Sequence, residues 1–316
     1  MRVGVAARSD HDLADSRGTG HNPGMPRALI AVLLSLLVLI PGSPTSAQLL
    51  NKDAPVIVGH YHLNVSSVEE HKKFWVDTLG GTAMRIANAD VIKFPDAFLF
   101  LRAQKPTGPT RGTAFDHIGF AAPNVPALVA RITAAGYPLT DGREPAPGAA
   151  RGAASGAQPQ GGAIAYVLGP DGAKIEIVTN RDANAPPLKH HHMHFINKQY
   201  VEMQQWYMKA FDATLRAGQT DFFIGADLPG VGYMLNFFRW EGDQAVVHAP
   251  TKGRVYDHVS FEVKNLDAFC NQLEAKGIAL TTPYRKDPAM NNIGTAWITD
   301  PWGVSIELTE GLDKLS

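Results

Sequence analysis

Histidine is concentrated in one nine-residue stretch just after the middle of the 316-residue chain, Lys189-His-His-His-Met-His-Phe-Ile-Asn197. A neutral imidazole can bind a divalent metal, and it can also exchange protons near neutral pH. If the stretch is a strand, alternation predicts that His191 points away from its histidine neighbours, and that His190, nearest the linker, is exposed. We therefore interpret the cluster as one edge of a site whose other residues lie elsewhere in the sequence.

A diverged copy of the same pattern lies 132 residues earlier. Residues 60–82 align without a gap with residues 192–214, so that His60 meets His192 and His62 meets His194. Most of the flanking positions differ between the two copies. Keeping polar residues inside a predicted core is costly unless they are hydrogen-bonded or bind something. The retained histidines are therefore candidates for metal ligands or acid–base groups.

Two further internal alignments extend the repeat. Residues 115–139 align with residues 256–280, which brings Asp116-His117 onto Asp257-His258. Residues 166–178 align with residues 297–309, which brings Glu176 onto Glu307. The offset changes from 141 to 131 residues, which assigns a ten-residue insertion to the low-complexity segment 143–162. We interpret that segment as a flexible surface loop.

The repeat defines four modules, which contain His60, His117, His192 and His258 near their starts. Each has the pattern of a strand, an amphipathic helix and three further strands. The hydrophobic spacing predicts helices over 125–136 and 266–277, with Gly136 and Gly277 as C-terminal caps. One βαβββ module is too small to bury its own sheet, so the modules must pair.

The N-terminal residues have the layout of a secretory signal peptide. Arg27 precedes a thirteen-residue apolar run, residues 28–40, and Pro41 and the small residues 45–47 follow it. This run is shorter than the roughly 20 residues that span a bilayer. We expect a bacterial protein exported to the periplasm or secreted; a signal anchor is the alternative.

The predicted organisation has three parts, of which the first, 1–47, is an extension plus signal peptide with a potential true start at Met25. Two domains of two modules each then follow, 48–182 and 183–316, joined by a linker over 183–187. The net charge of −1 and the lack of a long basic run argue against nucleic acid as a partner, and against a membrane once the signal is cleaved. Cys270 is the only cysteine, and its helical apolar context predicts buried packing.

Taken together, the sequence resembles the vicinal oxygen chelate superfamily, which includes glyoxalase I, bleomycin-resistance proteins and extradiol dioxygenases. The resemblance rests on the strand pattern H-x-x-L/F, on the aromatic pairs Phe74-Trp75 and Trp206-Tyr207, and on the endings at 169–176 and 300–307. It implies an α+β fold in which four βαβββ modules pair into two half-open mixed-sheet barrels.

The resemblance also implies a site for a divalent metal in each half of the chain. The implied ligands are His60, His117 and Glu176 in the first half, and His192, His258 and Glu307 in the second half. Two histidines and one carboxylate leave coordination positions open, which favours Fe(II), with Zn, Mn or Ni as alternatives. His62 and His194 are predicted to assist as acid–base groups or as donors to the ligands. Asp116 and Asp257 are predicted to point to the opposite face, as capping or surface groups.

The sequence favours a dioxygenase-like or lyase reaction on a small substrate that chelates the metal through vicinal oxygens. Glyoxalase I uses a fourth ligand from the last strand of a module, and the strands at 97–103 and 233–238 offer only Asn236 there. The histidine of the extradiol motif is absent from 281–296, and Trp297 stands where that motif has tyrosine. A glyoxalase I-like isomerase and a non-catalytic small-molecule binding protein stay open as alternatives, and a homodimer is an expected assembly.

Overall fold

The computed structural model describes residues 53–140, 155–157, 163–182, 184–232, 234–240 and 248–314. The predicted signal peptide and most of the insertion at 143–162 lie outside the described residues.

The first module contains the strands β1 (Val56–Val65), β2 (Thr82–Ile86), β3 (Ala89–Phe94) and β4 (Ala97–Ala103). The second contains β5 (Phe115–Ala122), β6 (Leu139–Thr140), β7 (Ser155–Ala157), β8 (Ala163–Leu168) and β9 (Lys174–Thr179). The third contains β10 (Lys189–Asn197), β11 (Thr214–Leu215), β12 (Phe223–Asp227) and β13 (Met234–Arg239). The fourth contains β14 (Tyr256–Val263), β15 (Thr282–Asp287), β16 (Ile293–Thr299) and β17 (Ser305–Glu310).

One helix follows the first strand of each module. The helices are α1 (Val68–Lys72), which continues as a π-helical segment (Lys73–Thr78), α2 (Val125–Ala134), α3 (Tyr200–Phe211) and α4 (Leu266–Ala275). Gly136 and Gly277 follow α2 and α4 with φ angles of 88° and 73°, which agrees with their predicted capping role. Among the described residues, none of the helices is both long enough and apolar enough to cross a bilayer.

The strands form two mixed sheets. The first sheet has the order β15-β16-β17-β14-β1-β4-β3-β2, and the second has the order β11-β12-β13-β10-β5-β9-β8-β6, with β7 paired to β8. In each sheet the first strands of two modules pair antiparallel, and each first strand also pairs in parallel with the last strand of its own module. The predicted class, an α+β fold of four modules in two half-open mixed sheets, is confirmed.

The modules pair across the two halves of the sequence. The first sheet joins the first module to the fourth, and the second sheet joins the second module to the third. The predicted boundary between 48–182 and 183–316 therefore falls within the second sheet, where the linker connects β9 to β10. This pairing decides which histidines meet.

One face of each sheet packs against the helices in a shared apolar core. Trp75 from the π-helical segment and Tyr207 from α3 are both completely buried there, as the retained aromatic pairs suggest. Cys270 on α4 is buried against the same core, which confirms the predicted packing role. The opposite face of each sheet carries the polar side chains of the first strands.

Candidate metal centres

A β-bulge near the start of β1 and of β10 decides which side chains reach the polar face. The pairing register shifts between Val58 and Tyr61 on β1, and between His190 and His192 on β10. A bulge inserts one residue and moves the preceding side chains to the other face. Strand alternation therefore predicts the side chains of the polar face correctly only from His60 onwards on β1 and from His192 onwards on β10.

The predictions for His190 and His191 are wrong because of this bulge. His190 is 1% exposed on the core side, where its Nε2 lies 2.6 Å from the hydroxyl of Tyr61. His191 lies beside His192 on the polar side, with 2.9 Å between their Nδ1 atoms. Strand alternation does not hold through a bulge, and no residue type in this stretch signals one.

The second-sheet centre consists of His117, Glu176, His192 and His194, all of them buried. The Oε2 atom of Glu176 lies 2.9 Å from Nε2 of His117 and 3.0 Å from Nε2 of His192. It also lies 3.7 Å from Nδ1 of His194. One ligand atom from each of the four residues falls within 4.8 Å of the others, a spacing that a single metal ion can bridge.

The first-sheet centre consists of His60, His62, His258 and Glu307. The Oε2 atom of Glu307 lies 3.1 Å from Nε2 of His60 and 3.2 Å from Nε2 of His258. The ring of His62 packs on the ring of His258, with 4.6 Å between their centroids. The ligand atoms of the three histidines lie within 4.8 Å of one another.

The structure therefore brings all six residues named as metal ligands into two centres, but in a different grouping from the predicted one. His192 joins His117 and Glu176 instead of His258 and Glu307, and His60 takes the place of His192 beside the latter pair. The physical reason is the antiparallel pairing of β10 with β5 and of β1 with β14. His62 and His194 lie within these centres, as expected from their positions two residues further along.

The prediction that Asp116 and Asp257 are surface or capping groups is wrong. Both are buried, and their carboxylates hydrogen-bond Nδ1 of His117 and of His258; the second bond measures 2.8 Å. A second register shift leaves each aspartate as the unpaired residue of its strand, which turns the carboxylate towards the histidine that follows it. The signal for this role was the Asp-His dipeptide, which is present in both copies.

These aspartates fix the tautomer of the two histidines. A carboxylate at Nδ1 keeps the proton on that atom, which leaves the lone pair of Nε2 directed at the centre. Lys174 donates a hydrogen bond to Asp116 and holds its charge in place. The same arrangement of carboxylate, histidine and metal recurs in metalloprotein sites, where it orients the ligand and increases its basicity.

The unpaired nitrogens of both centres fit a bound cation. Among the described residues, Nε2 of His62 and both ring nitrogens of His194 are buried without a hydrogen-bond partner. Each buried polar group left unsatisfied costs about 1–3 kcal/mol. Imidazole nitrogens grouped around a carboxylate are a donor set for a divalent ion, so the residues present fit the metal.

Burial and neighbouring charges set the protonation of these groups. Burial alone would raise the pKa of Glu307, but the hydrogen bonds and charges of His258 and His60 outweigh it and hold that pKa below its ordinary value. Burial lowers the pKa of His192, and it lowers that of His194 to about 3. The second-sheet centre therefore combines a carboxylate with neutral His192 and His194, the protonation state that metals bind.

The pKa of His258 is shifted in the opposite direction from the pKa values of His60 and His192. Burial lowers its pKa, but the carboxylates of Asp257 and Glu307 together outweigh burial and raise it. The two carboxylates thus favour the protonated form of His258 when no cation lies between them.

The sheet register locates the position of a fourth ligand. Each carboxylate pairs with the residue two places after a ligand histidine: Glu176 with Gly119 and Glu307 with Ser260. The corresponding pairs on the other side of each centre are His62 with Phe100 and His194 with Asn236. Phe100 and Asn236 therefore stand where a fourth carboxylate would lie.

We expect Asp116→Asn and Asp257→Asn each to weaken metal binding at one centre by roughly 10- to 100-fold, because they remove the charge that orients and activates the ligand histidine. Competition with a chromophoric chelator measures this affinity. Asp171→Asn is the matched control, since Asp171 bonds Nε2 of His71 at 3.1 Å in a pair outside both centres. Equal affinities in all three variants would contradict the role assigned to Asp116 and Asp257.

Comparison with known proteins identifies the family and the fold of the chain. The family model described as "Glyoxalase/Bleomycin resistance protein/Dioxygenase superfamily" matches residues 57–177 and 189–308. Glyoxalase I from Zea mays superposes with a TM-score of 0.63 at 18% identity, over 82% of this chain and 94% of that chain. A provisionally named dioxygenase from Bacillus subtilis gives a TM-score of 0.57 at 13% identity, over 81% of this chain and 86% of that chain. At these identities the likeness shows the fold alone. The search of curated proteins gave no match.

Proposed function

The chain belongs to the Glyoxalase/Bleomycin resistance protein/Dioxygenase superfamily, and we propose that it is a metal-dependent enzyme whose small substrate binds the metal through two vicinal oxygens. One observation carries the proposal: two His–His–Glu groups, with buried histidines and with one histidine in each oriented by an aspartate. A protein that only sequesters a ligand needs an apolar cavity and has no use for such groups. The buried charges are accounted for if both centres hold a cation.

We favour Fe(II) as the metal, with Zn, Mn and Ni as the alternatives to be distinguished by experiment. His117, Glu176 and His192 would hold it in the second sheet, and His60, His258 and Glu307 in the first. A divalent ion in such a site acts as a Lewis acid on a substrate oxygen and stabilises negative charge that develops there. With three protein ligands, positions stay open for both substrate oxygens.

The residues at the fourth position favour dioxygenase-like or lyase chemistry. Phe100 cannot bind a metal, and Asn236 already accepts a hydrogen bond from Arg216 at 3.0 Å. Neither replaces the carboxylate that a glyoxalase I-like isomerisation needs.

An isomerase is the second candidate, supported by His62 and His194. Each has a buried nitrogen with no hydrogen-bond partner among the described residues, and burial lowers the pKa of both below the ordinary value. A neutral imidazole has a lone pair that can accept a proton from a carbon next to a substrate carbonyl, but the low pKa makes both groups weak bases, which ranks this candidate second.

Elemental analysis of protein purified without chelator tests the proposal. We expect two equivalents of metal per chain in the parent and one equivalent in each of Glu176→Ala and Glu307→Ala, because each change removes the carboxylate of one centre. Glu202→Ala, which alters an exposed carboxylate on α3, serves as the control and should keep both. A metal-free parent, or unchanged content in both centre variants, would overturn the proposal.

The reaction type is tested with the same protein. Oxygen uptake with catechols indicates a dioxygenase, and loss of a hemithioacetal without oxygen uptake indicates an isomerase. Cleavage of a substrate carbon bond without oxygen uptake indicates a lyase. In each case the activity should fall with the metal content of the variants.

A further inference from the structure

The two centres differ in the row of side chains that leads to them across the outer strands. In the first sheet, pairing aligns Met84 on β2 with Val91 on β3, Val91 with Phe100 on β4, and Phe100 with His62 on β1. The row is apolar up to the histidine. Met84, Val91 and Phe100 belong to one small hydrophobic cluster on this side of the sheet.

The equivalent row in the second sheet is polar and cationic. The backbone of Arg216 pairs with Gly225 on β12, Gly225 pairs with Asn236 on β13, and Asn236 pairs with His194 on β10. Arg216 therefore stands where the first sheet has Met84, with Gly225 in place of Val91 and Asn236 in place of Phe100. The two centres share their ligands but differ in the wall beside them.

The side chain of Arg216 lies beside this row, and two of its three guanidinium nitrogens donate hydrogen bonds. Its Nε donates to Asp227 at 3.2 Å, and its Nη1 donates to Asn236 at 3.0 Å. Its Nη2 is buried and has no hydrogen-bond partner among the described residues. A buried unpaired donor is costly, so a ligand that accepts a hydrogen bond from Nη2 would stabilise this arrangement.

Gly225 is what allows the guanidinium to occupy this place. A Cβ atom at Gly225 would lie 2.6 Å from Cζ of Arg216 and 2.7 Å from Nη2, closer than any ordinary contact. The missing side chain lets the guanidinium lie against β12 and reach Asn236, next to the second-sheet centre.

We propose that the second-sheet centre takes substrates that carry a carboxylate next to the oxygen that binds the metal, as in a 2-oxo or 2-hydroxy acid, and that Arg216 binds this carboxylate. The inference rests on the proposed function, since it assigns the substrate class of one of the two metal centres. The planar fork of a guanidinium matches a carboxylate, and Nη2 is free to donate a hydrogen bond to one of the carboxylate oxygens. The first-sheet centre has Met84 at the position of Arg216, so we expect it to take a substrate without this carboxylate.

Calorimetric titration of the metal-loaded protein with pyruvate and with methyl pyruvate, which lacks the charge, tests the proposal. In the Glu307→Ala background, which isolates the second-sheet centre, we expect pyruvate to bind with one equivalent per chain. Adding Arg216→Met, the residue of the first sheet, should weaken pyruvate binding roughly 10- to 100-fold and leave methyl pyruvate unchanged. Gly225→Val should do the same by displacing the guanidinium, which supplies a second route if Arg216→Met fails to fold.

The control is Arg85→Met, which removes an exposed arginine next to Met84 and should have no effect. Metal content measured on the same samples separates this proposal from the proposed function. If the metal is bound and pyruvate affinity is equal with and without Arg216, the role of Arg216 is overturned and the metal centre stands. If the loaded parent does not bind pyruvate, the carboxylate class is overturned, and if the parent binds no metal, both proposals fail.

Discussion

Replacing Gly119 with alanine should reduce the metal content of the protein from two equivalents to one. Gly119 on β5 pairs with His192 on β10, and the imidazole lies directly over its backbone. A Cβ atom at Gly119 would lie 2.0 Å from Cε1 and 2.2 Å from Nδ1 of His192. Non-bonded carbon atoms approach to about 3.5–4.0 Å, so the ring would have to leave its place beside Glu176.

The first-sheet centre supplies a matched control for this variant. Ser260 occupies the position of Gly119 there and already carries a Cβ atom, while the glycine lies on the opposite strand, at Gly59. A Cβ atom at Gly59 would come within 2.8 Å of the Ser260 hydroxyl oxygen. Each centre thus has one glycine at which a Cβ atom would come too close to the neighbouring strand, but the glycine lies on a different strand in each centre. We expect Ser260→Ala to keep both metal equivalents.

Two measurements test this prediction: the metal content by elemental analysis, and the midpoint of thermal unfolding in the presence of a chelator. If Gly119→Ala keeps two equivalents, the position of the His192 ring over β5 is not needed for metal binding. Thermal unfolding of the metal-free variants shows whether the substitution acts at the centre or on the sheet as a whole. A similar midpoint for both glycine and serine variants, with different metal contents, is the expected outcome.

The sequence predicts which side chains line the two centres better than it predicts how they group. The six residues proposed as ligands stand out because duplication kept them while their neighbours diverged. Which histidine meets which glutamate depends on the pairing of β1 with β14 and of β5 with β10, and no local pattern encodes a choice between modules of similar sequence. The bulge that moves His190 to the core leaves no mark in the residue types, whereas the bulge at Asp116 coincides with the Asp-His dipeptide that both copies share.

Arg216 was missed for a different reason. The repeat draws attention to positions that both copies share, whereas Arg216 and Met84 are positions at which the copies differ. A residue that gives one centre its own substrate is expected to differ from its counterpart. Only the register across β11, β12 and β13 shows that these positions correspond and that both lead to a centre.

Bound metal should raise the thermal stability of the protein by an amount that depends on its concentration. A ligand that binds only the folded chain stabilises it by about 2.7 kcal/mol per site at 100 times its dissociation constant. For a chain of this size each kcal/mol shifts the unfolding midpoint by roughly 2–4 °C. Two loaded centres should therefore raise the midpoint by about 10 °C or more relative to protein in chelator.

The dependence on the two glutamates makes this prediction specific. Glu176→Ala and Glu307→Ala should each remove about half of the metal-dependent shift, and the double variant should remove all of it. Exposed sites elsewhere would also bind metal, but weakly and without regard to these residues, so Glu202→Ala should keep the full shift. A midpoint that rises equally with metal in the parent and in the double variant would place the binding outside the two centres. A shift that vanishes only in the double variant would show that both sheets hold the ion, because the glutamates lie on β9 and β17 in separate sheets.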